Sequence, residues 1–146
     1  MARRLILPPA CASRIEAHAR ACFPRECCGV LEGTVVEDAI AVRLTHATAN
    51  RADAADRFEI DPAEQFRLMR EARARGAEIV GCYHSHPNGQ PRPSPRDAEF
   101  ATEDNFVWLV AALASATGPV TLTAFAARAG SFEALALLAP EAAQAL

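Results

Sequence analysis

The sequence predicts an α+β domain: a curved mixed β-sheet flanked by helices. Three observations carry this expectation. Ile79 to His84 is apolar on both faces, the mark of a central strand buried from both sides. Two segments, Pro9 to Cys22 and Pro62 to Gly76, carry helical spacing and helix-end signals instead. Finally, Phe106 to Leu113, Val120 to Ala127 and Phe132 to Leu138 are strand-like runs separated by Gly118-Pro119 and Gly130-Ser131 turns.

In chain order, Leu5 to Leu7 reads as a short strand, and Pro8-Pro9 opens a helix to about Cys22, with Ile15, His18, Ala19 and Cys22 on one face. Pro24 follows its end. Cys28 to Leu31 is a short apolar run closed by Gly33, and Val35 to Leu44 alternates as its pairing partner. Thr45 to Asp56 is polar and aperiodic, which predicts a loop; Phe58 to Ile60 predicts a brief strand. Asp61 caps the next helix, Pro62 takes its first position and Glu64 has capping-box spacing. That helix should turn Phe66, Met69 and Ala72 inward and end at Gly76. After the central strand, His86 to Pro93 forms a loop and Ser94-Pro95-Arg96-Asp97 starts another helix. No repeat or linker interrupts the chain, so residues 1–146 are expected to form one domain.

With 146 residues, 51% of them hydrophobic and 23% charged, the chain can bury a core without disulfides. No apolar run reaches the roughly 20 residues a membrane span needs. Leu5-Ile6-Leu7 is too short for a signal-peptide core, so the expected compartment is the cytoplasm, with most of the five cysteines free. A formal net charge of -3 and a pI near 5.8 argue against nucleic acid as an electrostatic partner. All fifteen basic residues are arginine.

The chemistry concentrates at His84-Ser85-His86. Residues two apart on a strand share a face, so both imidazoles can converge on one point at a sheet end. Two neutral imidazoles suit Zn²⁺, and a third ligand is then a carboxylate or thiolate; Asp97, in the first turn of the next helix, is the candidate. A fourth position left to water makes such a site catalytic. The bland readings are two surface histidines and, for Ser94 to Asp97, a plain capping box, which is compatible with Asp97 acting as a ligand. Cys27, Cys28 and Cys82 read as small core residues rather than nucleophiles. A deaminase-type zinc site needs a Pro-Cys-x-x-Cys that is absent. His18 and His46 read as packing or surface residues, and the arginines at 67, 70, 73 and 75 as a solvated helix face.

His84-Ser85-His86, then the seven residues Pro87 to Pro93, Ser94, two more residues and Asp97, resembles the JAMM (MPN+) metalloprotease signature H-x-H-x7-S-x2-D without a gap. Pro24-Arg25-Glu26-Cys27-Cys28-Gly29 and Phe58-Glu59-Ile60-Asp61-Pro62 are similar to segments of the family's small stand-alone bacterial branch. The resemblance spans residues 5 to 138. It implies a cytidine-deaminase-like MPN fold and Zn²⁺ on His84, His86 and Asp97. It implies Glu26 as base to the water and acid to the leaving amine, and Ser94 as hydrogen-bond donor to the tetrahedral intermediate. The implied substrate is a small ubiquitin-like or sulfur-carrier protein cut after a C-terminal Gly-Gly, one known use in the branch being release of cysteine from such a carrier. The rival readings are a non-catalytic MPN scaffold that binds a partner and a zinc hydrolase of other small amides or cell-wall peptides. Neither nucleic acid nor membrane is an expected partner, and the oligomeric state stays open, a homodimer included.

Overall fold

The computed structural model describes residues 1–144. Its elements are β1 (Arg4–Ile6), α1 (Pro9–Cys22), β2 (Cys28–Val36), β3 (Ala39–Thr48), α2 (Pro62–Ala74), β4 (Glu78–His86), α3 (Pro95–Phe100), β5 (Val107–Ala112), β6 (Thr121–Arg128), β7 (Ser131–Leu138) and α4 (Pro140–Gln144). The α+β expectation holds, but the sheet is a closed barrel rather than an open curved sheet. Its strand order is β1-β3-β2-β4-β5-β6-β7. Closure comes from β1, which pairs in parallel with β3 on one side (Arg4↔Ala39) and β7 on the other (Arg4↔Ala136). A three-residue strand carries no signal of a second partner, so closure is invisible in the sequence.

β4 sits between antiparallel β2 and parallel β5, and is buried from Val80 to His86. This is the central position its apolar pattern predicts. The main core gathers Leu5, Ile15, Leu31, Tyr83, Leu109 and Leu113. A second cluster of Cys82, Ala101, Trp108 and Ala127, with Phe58, Phe125 and Phe132 against it, lies beside the histidine end of β4. Gly81 of β4 faces Val107 of β5, and a Cβ there would meet the Val107 carbonyl and side chain. Gly81→Ala should therefore lower stability by about 1–3 kcal/mol through overpacking, read as a lower midpoint in urea unfolding.

Several boundaries differ from expectation. β2 does not stop at Gly33 but continues to Val36, with a register shift between Glu32 and Gly33 that absorbs the glycine. The hairpin therefore turns at Glu37 and Asp38, and β3 runs on through Thr48. Phe58 to Ile60 forms no strand, its Glu59 carbonyl accepting the Arg51 N–H at 2.8 Å instead, and α4 lies outside the expected elements. On α2, Ala72 is buried as predicted and Met69 half-buried, but Leu68 takes the inward place expected for Phe66, which is exposed and stacked under Arg70.

Arg75 is not a free surface charge. It forms two bonds, 2.6 and 2.9 Å, to Glu32, a carboxylate buried on β2 that also meets His46 Nε2 at 2.8 Å. The Arg75 hydrogen bonds hold the Glu32 carboxyl below its ordinary range despite burial. This ties the end of α2 to the sheet. His18, expected to pack, meets the buried Tyr83 hydroxyl at 2.7 Å. All five cysteines are unpaired. No helix among the described residues is long and apolar enough to cross a membrane.

Candidate metal centre

The β4 strand ends at its chemistry. His84 and His86 project from one face, as the two-residue spacing requires. Asp97 comes to them from the first turn of α3, where Ser94 is the N-cap. Ser94 Oγ accepts the Asp97 N–H at 3.1 Å, and Asp97 Oδ2 accepts the Ser94 N–H at 2.8 Å. The capping box and the candidate ligand are thus one device: the cap fixes where the carboxylate points.

His84 Nε2 and His86 Nε2 stand 2.8 Å apart, and each is 3.1 Å from Asp97 Oδ2. Donors on a tetrahedral zinc with bonds of about 2.0–2.1 Å stand roughly 3.3 Å apart, so the three atoms are close to the spacing of one face of such a site. They form a His–His–Asp group placed to bind a metal. The rings are held from outside. His86 Nδ1 lies 2.9 Å from the Gln90 carbonyl, which can only accept; the ring proton sits there and neutral Nε2 presents its lone pair inward. His84 is wedged by aromatic rings, stacked on Phe58 at 4.5 Å and edge-on to Trp108 at 5.8 Å.

Protonation follows from burial and pairing. Burial pushes the His84 ring toward the neutral form a metal ligand needs. Burial would also lower His86 and raise Asp97, but their mutual hydrogen bonding outweighs it, so His86 is raised and Asp97 held well below the carboxylate range. A cation held by these three atoms would compete with any proton on His86 Nε2, so its binding should be coupled to proton release.

Glu26 arrives from the segment between α1 and β2. Cys28 pairs with His84, so continuing that antiparallel register sets Glu26 across from His86. Ser85, buried between the two histidines, enforces this: its Oγ accepts the Cys27 N–H at 2.7 Å, and its N–H donates to the Cys27 carbonyl at 3.1 Å. Glu26 is 7% exposed, and its Oε1 has no hydrogen-bond partner. Burial pushes its carboxyl up to about 7, with the His86 charge opposing. A buried carboxylate without a partner is costly, and such groups concentrate where they do chemistry.

Two clefts border this group, one at His86 and Glu26 and the other at Asp97. One of about 330 Å³ is lined by Pro24, Glu26, Ala55, Asp56, His86 and Ser94. The other, also about 330 Å³, is lined by Phe58, Ile60, Cys82, Asp97, Phe106 and Trp108 among others. The five residues singled out in the sequence are therefore brought together. Burial disfavours the thiolate form of the nearby cysteines: it pushes Cys27 up to about 12 and Cys28 to about 11, and raises Cys82 as well. Ser85, Phe58 and Asn50, none of them among the expected site residues, also shape the site. Ser85 is signalled by its place between the two histidines, and Phe58 opens the segment expected as a brief strand; Asn50 sits in the polar stretch Thr45 to Asp56, which shows no pattern.

The family model described as prokaryotic homologs of the JAB domain matches residues 8–141. The chain belongs to this JAB family. Within it, the chain is similar to a desampylase from Haloferax volcanii, 38% identical over 88 residues, covering 60% of this chain and 62% of that protein. A CysO-cysteine peptidase from Mycobacterium tuberculosis is 33% identical over 87 residues, covering 60% and 58%. The matches thus span about three fifths of these curated relatives' length. The JAB fold is shared with the solution structure of a Desulfitobacterium hafniense protein, at TM-score 0.82 and 26% identity over 92% of each chain. A Salinibacter ruber protein gives TM-score 0.71 and 29% identity over 94% of this chain and 92% of that one.

Proposed function

We propose that this JAB-family chain is a zinc-dependent peptidase that hydrolyses the amide bond following a C-terminal Gly-Gly of a small ubiquitin-like or sulfur-carrier protein. The observation that carries the reading is the His–His–Asp group with an unpartnered, buried Glu26 carboxylate beside it. A scaffold has no use for that arrangement, which costs stability. The substrate class rests on the names of the desampylase and the CysO-cysteine peptidase. A cleft on each side of the His–His–Asp group, one at Asp97 and one at His86, suits a polypeptide that continues on both sides of the cut bond.

His84, His86 and Asp97 hold the metal. Zinc there supplies Lewis acidity, which makes water nucleophilic near neutral pH and polarises a carbonyl. Glu26 takes the proton of the attacking water, because its raised affinity matches that task, and returns it to the departing nitrogen. Ser94 only accepts within the capping box, so its own proton is free to be donated to the carbonyl oxygen as charge develops there.

Ser94→Ala separates the two uses of that hydroxyl. Loss of the cap alone should cost about 1 kcal/mol of stability. Loss of the donated hydrogen bond should reduce kcat by roughly 10²–10³ in protein that is still folded and zinc-loaded. Full activity per folded molecule would leave Ser94 as a helix cap only.

The reading is tested with zinc-loaded protein and a panel of Gly-Gly-ended carrier proteins, each extended by a C-terminal amino acid or joined to a lysine side chain. Mass spectrometry should show cleavage after the second glycine. Cleavage confined to small amides or cell-wall peptides would replace the substrate class, and no hydrolysis of any panel member would favour the scaffold.

A further inference from the structure

The loop between β3 and α2 reads in the sequence as polar filler, yet one side chain in it is fully committed. Asn50 Nδ2 donates to the Glu26 carbonyl at 2.9 Å and to the Arg57 carbonyl at 3.0 Å. Asn50 Oδ1 accepts the Ala52 N–H at 2.9 Å and the Glu59 N–H at 3.0 Å. Every partner is a backbone group of fixed polarity, so only an amide, in this one orientation, satisfies all four. The loop returns further bonds: the Ala55 carbonyl accepts the Glu26 N–H at 3.3 Å, and the Ala52 carbonyl accepts from Arg25 at 2.9 Å. The bonds to Arg57 and Glu59 also bracket Phe58, the ring on which His84 is stacked.

We propose that Asn50 is a positioning residue that clamps the Glu26 backbone and the Phe58 segment together, and so fixes the carboxylate and the His84 ring relative to one another. The proposal rests on the assignment of Glu26 as the proton-transfer group. Asn50 itself touches neither substrate nor metal. Its action passes through the Glu26 main chain on one side and Phe58 on the other. Misplacement of a catalytic group by about 1 Å can reduce turnover by roughly 10²-fold, which sets the scale of the effect.

The test is a double-mutant cycle on zinc-loaded protein with Asn50→Ala, Asn50→Asp and Glu26→Gln. Asn50→Asp keeps the size but points a carboxylate at two carbonyl oxygens, so it should be at least as damaging as alanine. Each Asn50 variant should lose roughly 10–10² in kcat while keeping its zinc. The same change in a Glu26→Gln background should cost less than about threefold, since the group being positioned is already gone. Amide hydrogen exchange should speed up at Ala52 and Glu59 while β4 and β5 stay protected. Equal losses in both backgrounds, full tolerance of aspartate, or loss of protection throughout the barrel would each overturn the proposal. If Asn50→Ala does not fold, Asn50→Ser takes its place; failure of both to fold would make Asn50 a folding determinant and also overturn it. Undiminished activity of Glu26→Gln by itself would instead sink the assignment on which the proposal rests.

Discussion

Glu26→Gln is expected to fold, to load zinc, and to lose roughly 10²–10⁴ of its kcat. The amide is nearly isosteric with the carboxyl but neither takes a proton from water nor returns one. Burial raises the Glu26 carboxyl to about 7 in the polypeptide alone. Its basic form is thus populated above that value, and a cation beside it moves the threshold down. The acidic limb of the kcat profile should fall at or below about pH 7 in the native enzyme, and vanish in the variant. A second signature is independent of turnover. A carboxyl whose folded pKa lies above its unfolded value favours folding most below the unfolded pKa and loses that advantage as pH rises through the folded one. Metal-free Glu26→Gln should accordingly melt higher than metal-free native protein at pH 8, with the difference shrinking toward pH 4. Near-native turnover in zinc-loaded Glu26→Gln would place the base elsewhere. Lost zinc would make Glu26 a fourth ligand and close the open position.

The three candidate metal ligands are legible because they obey local rules. His84 and His86 share a face by strand periodicity, and Asp97 sits at the third helical position of an evident capping box. Glu26 was legible only by resemblance. Its place opposite His86 follows from the Cys28↔His84 register, which depends on strand pairing between distant segments. The same physics hid the rest. Barrel closure needs β1 to meet both β3 and β7, and no residue of Arg4–Ile6 announces two partners. β2 runs past the end expected at Gly33 because a bulge lets a strand absorb a glycine. Arg75 looked like a solvated charge because its partner Glu32 is buried 43 positions away, in a strand that otherwise reads as apolar. Asn50 could not be seen at all: its four partners are backbone groups, and backbone carries no sequence signal.

Removal of a metal ligand should have the larger structural consequence. His86→Ala and Asp97→Ala each leave two donors of three, and are expected to abolish zinc loading. Asp97→Ala also removes one arm of the α3 capping box, in which its carboxylate accepts the Ser94 N–H, so part of its effect is on helix stability. Asp97→Asn separates the two losses. An amide oxygen can still accept that N–H, but it brings no charge to the metal. The asparagine variant should therefore keep the helix cap, losing in the metal-free protein only what the Asp97 charge contributes beside His86, while binding zinc far more weakly. The readout is thermal unfolding with and without zinc. A ligand that binds only the folded state at about 1,000 times its Kd stabilises it by about 4 kcal/mol. For a domain of this size that corresponds to a rise of roughly 10–15 °C in Tm. Native protein should show this rise, and chelation should reverse it. His86→Ala, Asp97→Ala and Asp97→Asn should show little or none. A full zinc-dependent rise in Asp97→Asn would mean that the aspartate serves as a cap rather than a ligand. No rise in the native protein at any zinc concentration would remove the metal from the proposed chemistry altogether.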